Sequence, residues 1–73
     1  MDELIGKRVT IFCAVYIYTG LLTEVTDTHV KLKDAAIVYE TGAFTTSAWS
    51  DAQPLPHDWY VSLGMVESFG ILK

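Results

Sequence analysis

The chain has 73 residues, nine acidic and five basic side chains, and a formal net charge of −4, which argues against a broad basic surface that grips nucleic acid indiscriminately. With 51% hydrophobic and 19% charged residues, the composition belongs to a chain that buries a core, not to a disordered one. One cysteine, Cys13, and two histidines exclude an intrachain disulfide and leave no set for a Cys/His zinc site. The expectation is one domain over residues 1–73, with no metal or cofactor.

The longest apolar run, Ile11 to Tyr18, falls far short of a membrane span. The acidic start Met1-Asp2-Glu3 leads into no apolar stretch, so a soluble, intracellular, cytoplasmic protein is expected. A domain near 60 residues buries only about 60% of the surface its unfolded chain exposes. Small scaffolds compensate with a disulfide, a metal or a partner chain, and self-association is the means left to this one.

Asp2 to Gly6 predicts at most one helical turn, with Asp2 as N-cap and Gly6 as its stop. The first strand begins at Arg8, and Val9, Ile11 and Cys13 share one face at period two. Ala14-Val15 marks a bend. The second strand, Tyr16 to Val25, is apolar on both faces, with Tyr16, Tyr18 and Leu22 on one and Ile17, Leu21 and Val25 on the other. A strand apolar on both faces must be covered twice or sharply bent, and Gly20 at its middle permits the bend. After the polar turn Thr26-Asp27-Thr28-His29, Val30 and Leu32 alternate with Lys31 and Lys33, and Ala35 to Tyr39 prolong this third strand.

Residues 40–58 are polar and too long for a structureless loop in so small a domain. Part of the segment is expected to extend the flanking strands into a protruding hairpin, with Pro54 and Pro56 ending the pairing. Trp59 to Leu63 and Val66 to Ile71, joined at Gly64, complete five strands. The expected fold is all-β: a small, strongly bent antiparallel barrel of Sm-like or SH3-like type. Trp59, Val61 and Leu63 on one late strand and Val66, Phe69 and Ile71 on the other are too apolar for bare edges.

The order of these features resembles a family. A short N-terminal turn, Gly6-Lys7-Arg8-Val9, Tyr18-x-Gly20-x-Leu22 and Asp27-x-His29-Val30-Lys31-Leu32 followed by Asp34-Ala35 are similar to the first motif of Sm and LSm proteins. Small acidic Sm-like proteins of phage origin are the similar type. The resemblance implies a closed homo-oligomeric ring of about five to seven subunits with head-to-tail contacts, the fourth strand of one subunit pairing with the fifth of the next. It also implies that the turn carrying Asp27, His29, Lys31 and Lys33 faces the pore and binds single-stranded RNA or DNA. There His29 would stack on a base, Asp27 would orient its neighbours, and the two lysines would supply local positive charge.

The sequence departs from the family pattern in three places. Gly20 and Asp27 are one residue further apart, Lys31 replaces a base-reading asparagine, and Leu63-Gly64 stands where an arginine precedes glycine. The same turn also reads without any ligand: Asp27 as a turn-former, His29 as an exposed turn residue, and the lysines as a solvated strand face. Lys7 and Arg8 read as a strand entry, Cys13 as a buried small hydrophobe, and Phe44 and Trp49 as loop aromatics that pack or offer a contact surface. His57-Asp58 suggests a general-base pair with no nucleophile tied to it, and no phosphate loop or nucleophile motif is present. An enzyme is therefore not expected. Two functions stay open: a ring that binds single-stranded nucleic acid, and a structural or adaptor ring that binds protein partners alone.

Overall fold

The computed structural model describes residues 1–73. A 3-10 turn, Asp2–Leu4, precedes six strands: β1 (Arg8–Cys13), β2 (Ile17–Val25), β3 (His29–Glu40), β4 (Asp51–Pro54), β5 (Trp59–Ser62) and β6 (Val66–Gly70). A second 3-10 turn, Leu63–Met65, links β5 to β6. All pairings are antiparallel. The sheet runs β4-β3-β2-β1-β6, with β5 also on β3. No helix is long and apolar enough to cross a membrane.

The strand count exceeds the expected five because the polar segment adds a strand. β3 is long enough to serve two partners: its first part, His29 to Leu32, pairs with β5, and its last part, Ala36 to Glu40, pairs with β4. Between these partners lie Leu55–Asp58, with Pro54 closing β4 and Pro56 following; a proline cannot donate to a ladder. The expected β3–β4 hairpin is thus present. No ladder joins β6 to β4 or β5, so the hydrogen-bonded sheet is open and not a closed barrel.

The β2–β3 ladder carries a bulge where Gly20 faces two residues. Thr19 pairs with Ala36 and Leu21 with Lys33, which leaves Asp34 and Ala35 opposite Gly20 alone. Asp34 takes the left-handed region at φ 50°, which Asp tolerates better than most residues. The Arg8 guanidinium donates to the Asp34 carbonyl at 2.9 Å, so the residue read as a strand entry also braces the bulge. A methyl group on Gly20 would lie 3.0 Å from Leu32 Cβ and 3.2 Å from both Ala35 Cα and the Lys33 carbonyl. The close approach of β2 and β3 favours glycine here, since any side chain would push these neighbours back by a few tenths of an ångström.

Val9, Ile11, Leu22, Val30, Leu32, Ala35 and Val61 form the buried core. Met1, Leu4, Cys13, Tyr18, Trp59, Leu63 and Val66 pack against it, half-buried. Val9, Thr10 and Ile11 are all fully buried, so β1 is covered on both faces. Beside Val9, Thr19 satisfies its hydroxyl by donating to the Val9 carbonyl at 3.1 Å. The Thr10 hydroxyl is buried with no partner. At the N-terminus Met1, not Asp2, is the N-cap, and no side chain caps the turn. Ile5, not Gly6, is the C-cap; Gly6 follows at φ 89° and donates its N–H to the Leu22 carbonyl at 2.8 Å, which carries the chain into the sheet.

Candidate nucleic-acid interface

The β2–β3 turn is built by Thr26. Its N–H donates to the His29 carbonyl at 2.9 Å, and its hydroxyl oxygen accepts from the N–H groups of Thr28 and His29 at 3.3 and 3.1 Å. This local side-chain-to-backbone pattern is what makes threonine a turn residue. The Thr26 and Thr28 hydroxyls lie 3.2 and 3.1 Å from His29 Nδ1, so that nitrogen is engaged within the turn. The imidazole still presents its ring to Tyr60, with centroids 5.4 Å apart and planes at 74°. The turn is tied to the far end of β5 by the Leu63 N–H, which donates to the Thr28 carbonyl at 2.9 Å.

Register places the rest of the site. Lys31 stands opposite Tyr60 on β5 and opposite Glu24 on β2. Its ammonium lies 5.7 Å from the Tyr60 ring centroid and 3.6 Å from an Asp58 carboxylate oxygen. Both neighbours, Tyr60 first and then Asp58, hold its pKa above the ordinary lysine value. Lys31 is therefore protonated but already paired. Lys33 is exposed and pairs in register with Leu21. Asp27 is exposed at the turn, while the hydrogen bonding that orients the turn comes from Thr26.

Thus His29 and Lys31 are brought together, with Lys33 further along the same strand. Tyr60 and Asp58 complete the cluster; the sequence reading gave Tyr60 no role and took Asp58 only as a partner for His57. The signal for Tyr60 was its place in a late strand flanked by Trp59 and Val61, but only the β3–β5 register sets it beside Lys31. Asp58 takes Lys31 as its partner, and His57 stays exposed, so the general-base pairing has no geometric support.

Among the late-strand residues considered for an interface, Val61 is in the core at 4% exposure. Trp59, Leu63 and Val66 are half-buried against it, and Phe69 and Ile71 remain largely exposed. A cavity of about 260 Å³ opens where β5 faces the β1–β2 bend, walled by Cys13, Tyr16, Tyr18, Tyr60 and Met65 among others. Burial, and secondarily Glu67, raise the Cys13 pKa. Its thiol is therefore a poor nucleophile at neutral pH. Burial likewise raises Tyr18.

No protein-family model, curated protein or solved structure matches the chain.

Proposed function

We propose that this chain is a self-assembling, Sm-like β-sheet module. The outer edge of β5 in one protomer pairs with β6 of the next, giving a ring of about five to seven subunits. The observation that carries the reading is the open sheet: β6 ends it on one side, β4 and β5 on the other, and no ladder joins them. Phe69 and Ile71 lie exposed at the β6 end, and Tyr60 and Met65 on and just after β5. Unpaired strand edges beside apolar side chains template further pairing, and head-to-tail pairing of unlike edges closes when the rotation per subunit divides a full turn.

The ring serves as a structural or adaptor platform for protein partners. This is favoured over tight nucleic-acid binding because Lys31 already pairs with Asp58 and stands opposite Glu24, on a chain of net charge −4. Light scattering at micromolar concentration should give a mass several times 8.1 kDa, and a double variant, Phe69→Glu with Ile71→Asp, should give monomers. A wild-type monomer would sink the reading.

One observation supports a second reading. Tyr60, 58% exposed, with His29 against it and Lys31 above it, offers a base a stacking surface worth about 1–3 kcal/mol. A ring would repeat that surface around its axis and add avidity. Anisotropy with short oligo-U and oligo-A at low salt tests it. Weak single-stranded binding should fall with His29→Ala or Tyr60→Ala, and rise with Asp58→Asn, which frees Lys31. Equal binding by all variants refutes a site here.

A further inference from the structure

The β3–β4 connection, residues 41–50, folds around a cation. Thr46 closes the loop on itself: its N–H and its hydroxyl both donate to the Ala43 carbonyl, at 3.1 and 2.8 Å. Gly42, at φ 69°, turns the chain tightly enough that the Ser50 hydroxyl occupies the space a Cβ would need. The main-chain path that results gathers acceptors inward. The Lys73 ammonium donates to the Thr41 carbonyl at 2.6 Å and the Ala48 carbonyl at 2.9 Å, with the Thr46 hydroxyl oxygen at 3.5 Å. The Trp49 ring closes the other side, with its centroid 4.6 Å from Nζ.

The loop offers acceptors enough for every donor of the ammonium. An ammonium has three N–H donors and no acceptor, and the loop presents three oxygens plus the electron-rich face of an indole, the best aromatic partner for a cation. The ion pairs of the chain lie elsewhere, at the N-terminus and at Lys31–Asp58. Lys73 is therefore held by dipoles and a π-face, not by a carboxylate. The contact also spans a long stretch of chain, joining residue 73 to residues 41–49.

We propose that loop 41–50 is a receptor for a primary alkylammonium group and that the side chain of Lys73 is its resident ligand. Occupancy pins the segment after β6 to the β3–β4 hairpin and orders the loop, which then holds Phe44, 57% exposed, outward as a fixed contact residue. The selectivity follows from the geometry. A primary ammonium fills the oxygens and the ring together, a quaternary ammonium reaches only the ring, and a neutral alcohol lacks the charge.

The test uses the full chain with its two tryptophans replaced by 5-fluorotryptophan, so that Trp49 and Trp59 each give one fluorine resonance. Lys73→Ala should shift the Trp49 resonance and leave that of Trp59 in place. It should also raise proteolytic cleavage within 41–50 about tenfold, the equivalent of ~1.4 kcal/mol of local opening. Added n-butylammonium should restore both readouts in Lys73→Ala, whereas n-butanol and tetramethylammonium should not. Lys73→Arg, which keeps the charge, should lie between wild type and Lys73→Ala. An unchanged Trp49 resonance and cleavage rate in Lys73→Ala would overturn the proposal. So would restoration by butanol equal to that by butylammonium, or a failure of butylammonium to restore either readout.

Discussion

Replacing Gly20 with alanine adds one methyl group at the point where β2 passes closest to β3. That carbon would stand 3.0 Å from Leu32 Cβ and 3.2 Å from Ala35 Cα and from the Lys33 carbonyl oxygen. Two of these three atoms are backbone, and the third belongs to a side chain with no exposure, so none can rotate away. The bulge itself must open. Forcing an extra methyl into a well-packed site costs about 1–3 kcal/mol, and the lower chain entropy of alanine returns about 0.5–1 kcal/mol of that. The expected net loss is about 1 kcal/mol, within a range of ~0–2.5 kcal/mol, which for a domain of this size lowers the melting temperature by about 4–8 °C per kcal/mol. Thermal and urea unfolding followed by circular dichroism measure it. Gly70→Ala is the control, since a methyl there meets nothing within 4 Å. If Gly20→Ala unfolds at or above the wild-type temperature, the close-approach account of the bulge is refuted.

Further outcomes follow from the same packing. Thr10→Val removes a buried hydroxyl that has no partner and should be neutral or stabilising by up to about 1 kcal/mol, while Thr19→Val breaks its bond to the Val9 carbonyl and should lose about 0.5–1.5 kcal/mol; equal urea midpoints for the two would refute the distinction. Leu22→Ala, in a fully buried position, should lose about 2–5 kcal/mol, readable as a lower urea midpoint. Asp34→Val places a β-branched residue at φ 50° and should lose about 1–2 kcal/mol, whereas Asp34→Asn should match wild type in thermal unfolding. For Cys13, burial and then Glu67 raise the folded-state pKa above the usual 9.0. Its stabilising contribution is therefore complete below that value and is lost as pH rises through the folded pKa. Iodoacetamide should accordingly modify Cys13 more slowly than a free cysteine at pH 8, with a rate profile displaced to higher pH.

Much of the architecture was legible in local pattern. Period-two burial placed Val9 and Ile11, and Val30 and Leu32, on the inner side, because a strand presents alternate residues to the core. Gly20 stood out because a strand apolar on both faces cannot stay flat. The proline positions correctly bounded pairing in the 40–58 segment, where a hairpin was expected, but its second strand was neither placed nor counted: Asp51-Ala52-Gln53-Pro54 has no β-branched or apolar alternation. It becomes a strand only because the far part of β3 offers it an unpaired ladder.

The candidate site divides along the same line. The turn residues Thr26 to His29 could be read in order, since their hydrogen bonds close within a few residues. The partners of Lys31 could not. Asp58 and Tyr60 lie far along the chain, and the charge state of the site depends on a register that the spacing of residues does not encode. The pairing of Lys73 with Trp49, Thr41 and Ala48 is of the same kind, a contact between distant segments with no trace in composition. The sequence by itself determined an all-β chain, its inward residues, the site of its principal bulge and its first hairpin, because those depend on alternation, branching and turn chemistry among near neighbours. Tertiary structure alone decided which end of β3 each late strand joins, whether the sheet closes, and which lysines are left with free charge, because each of those is a competition among distant partners for the same ladder or the same ion.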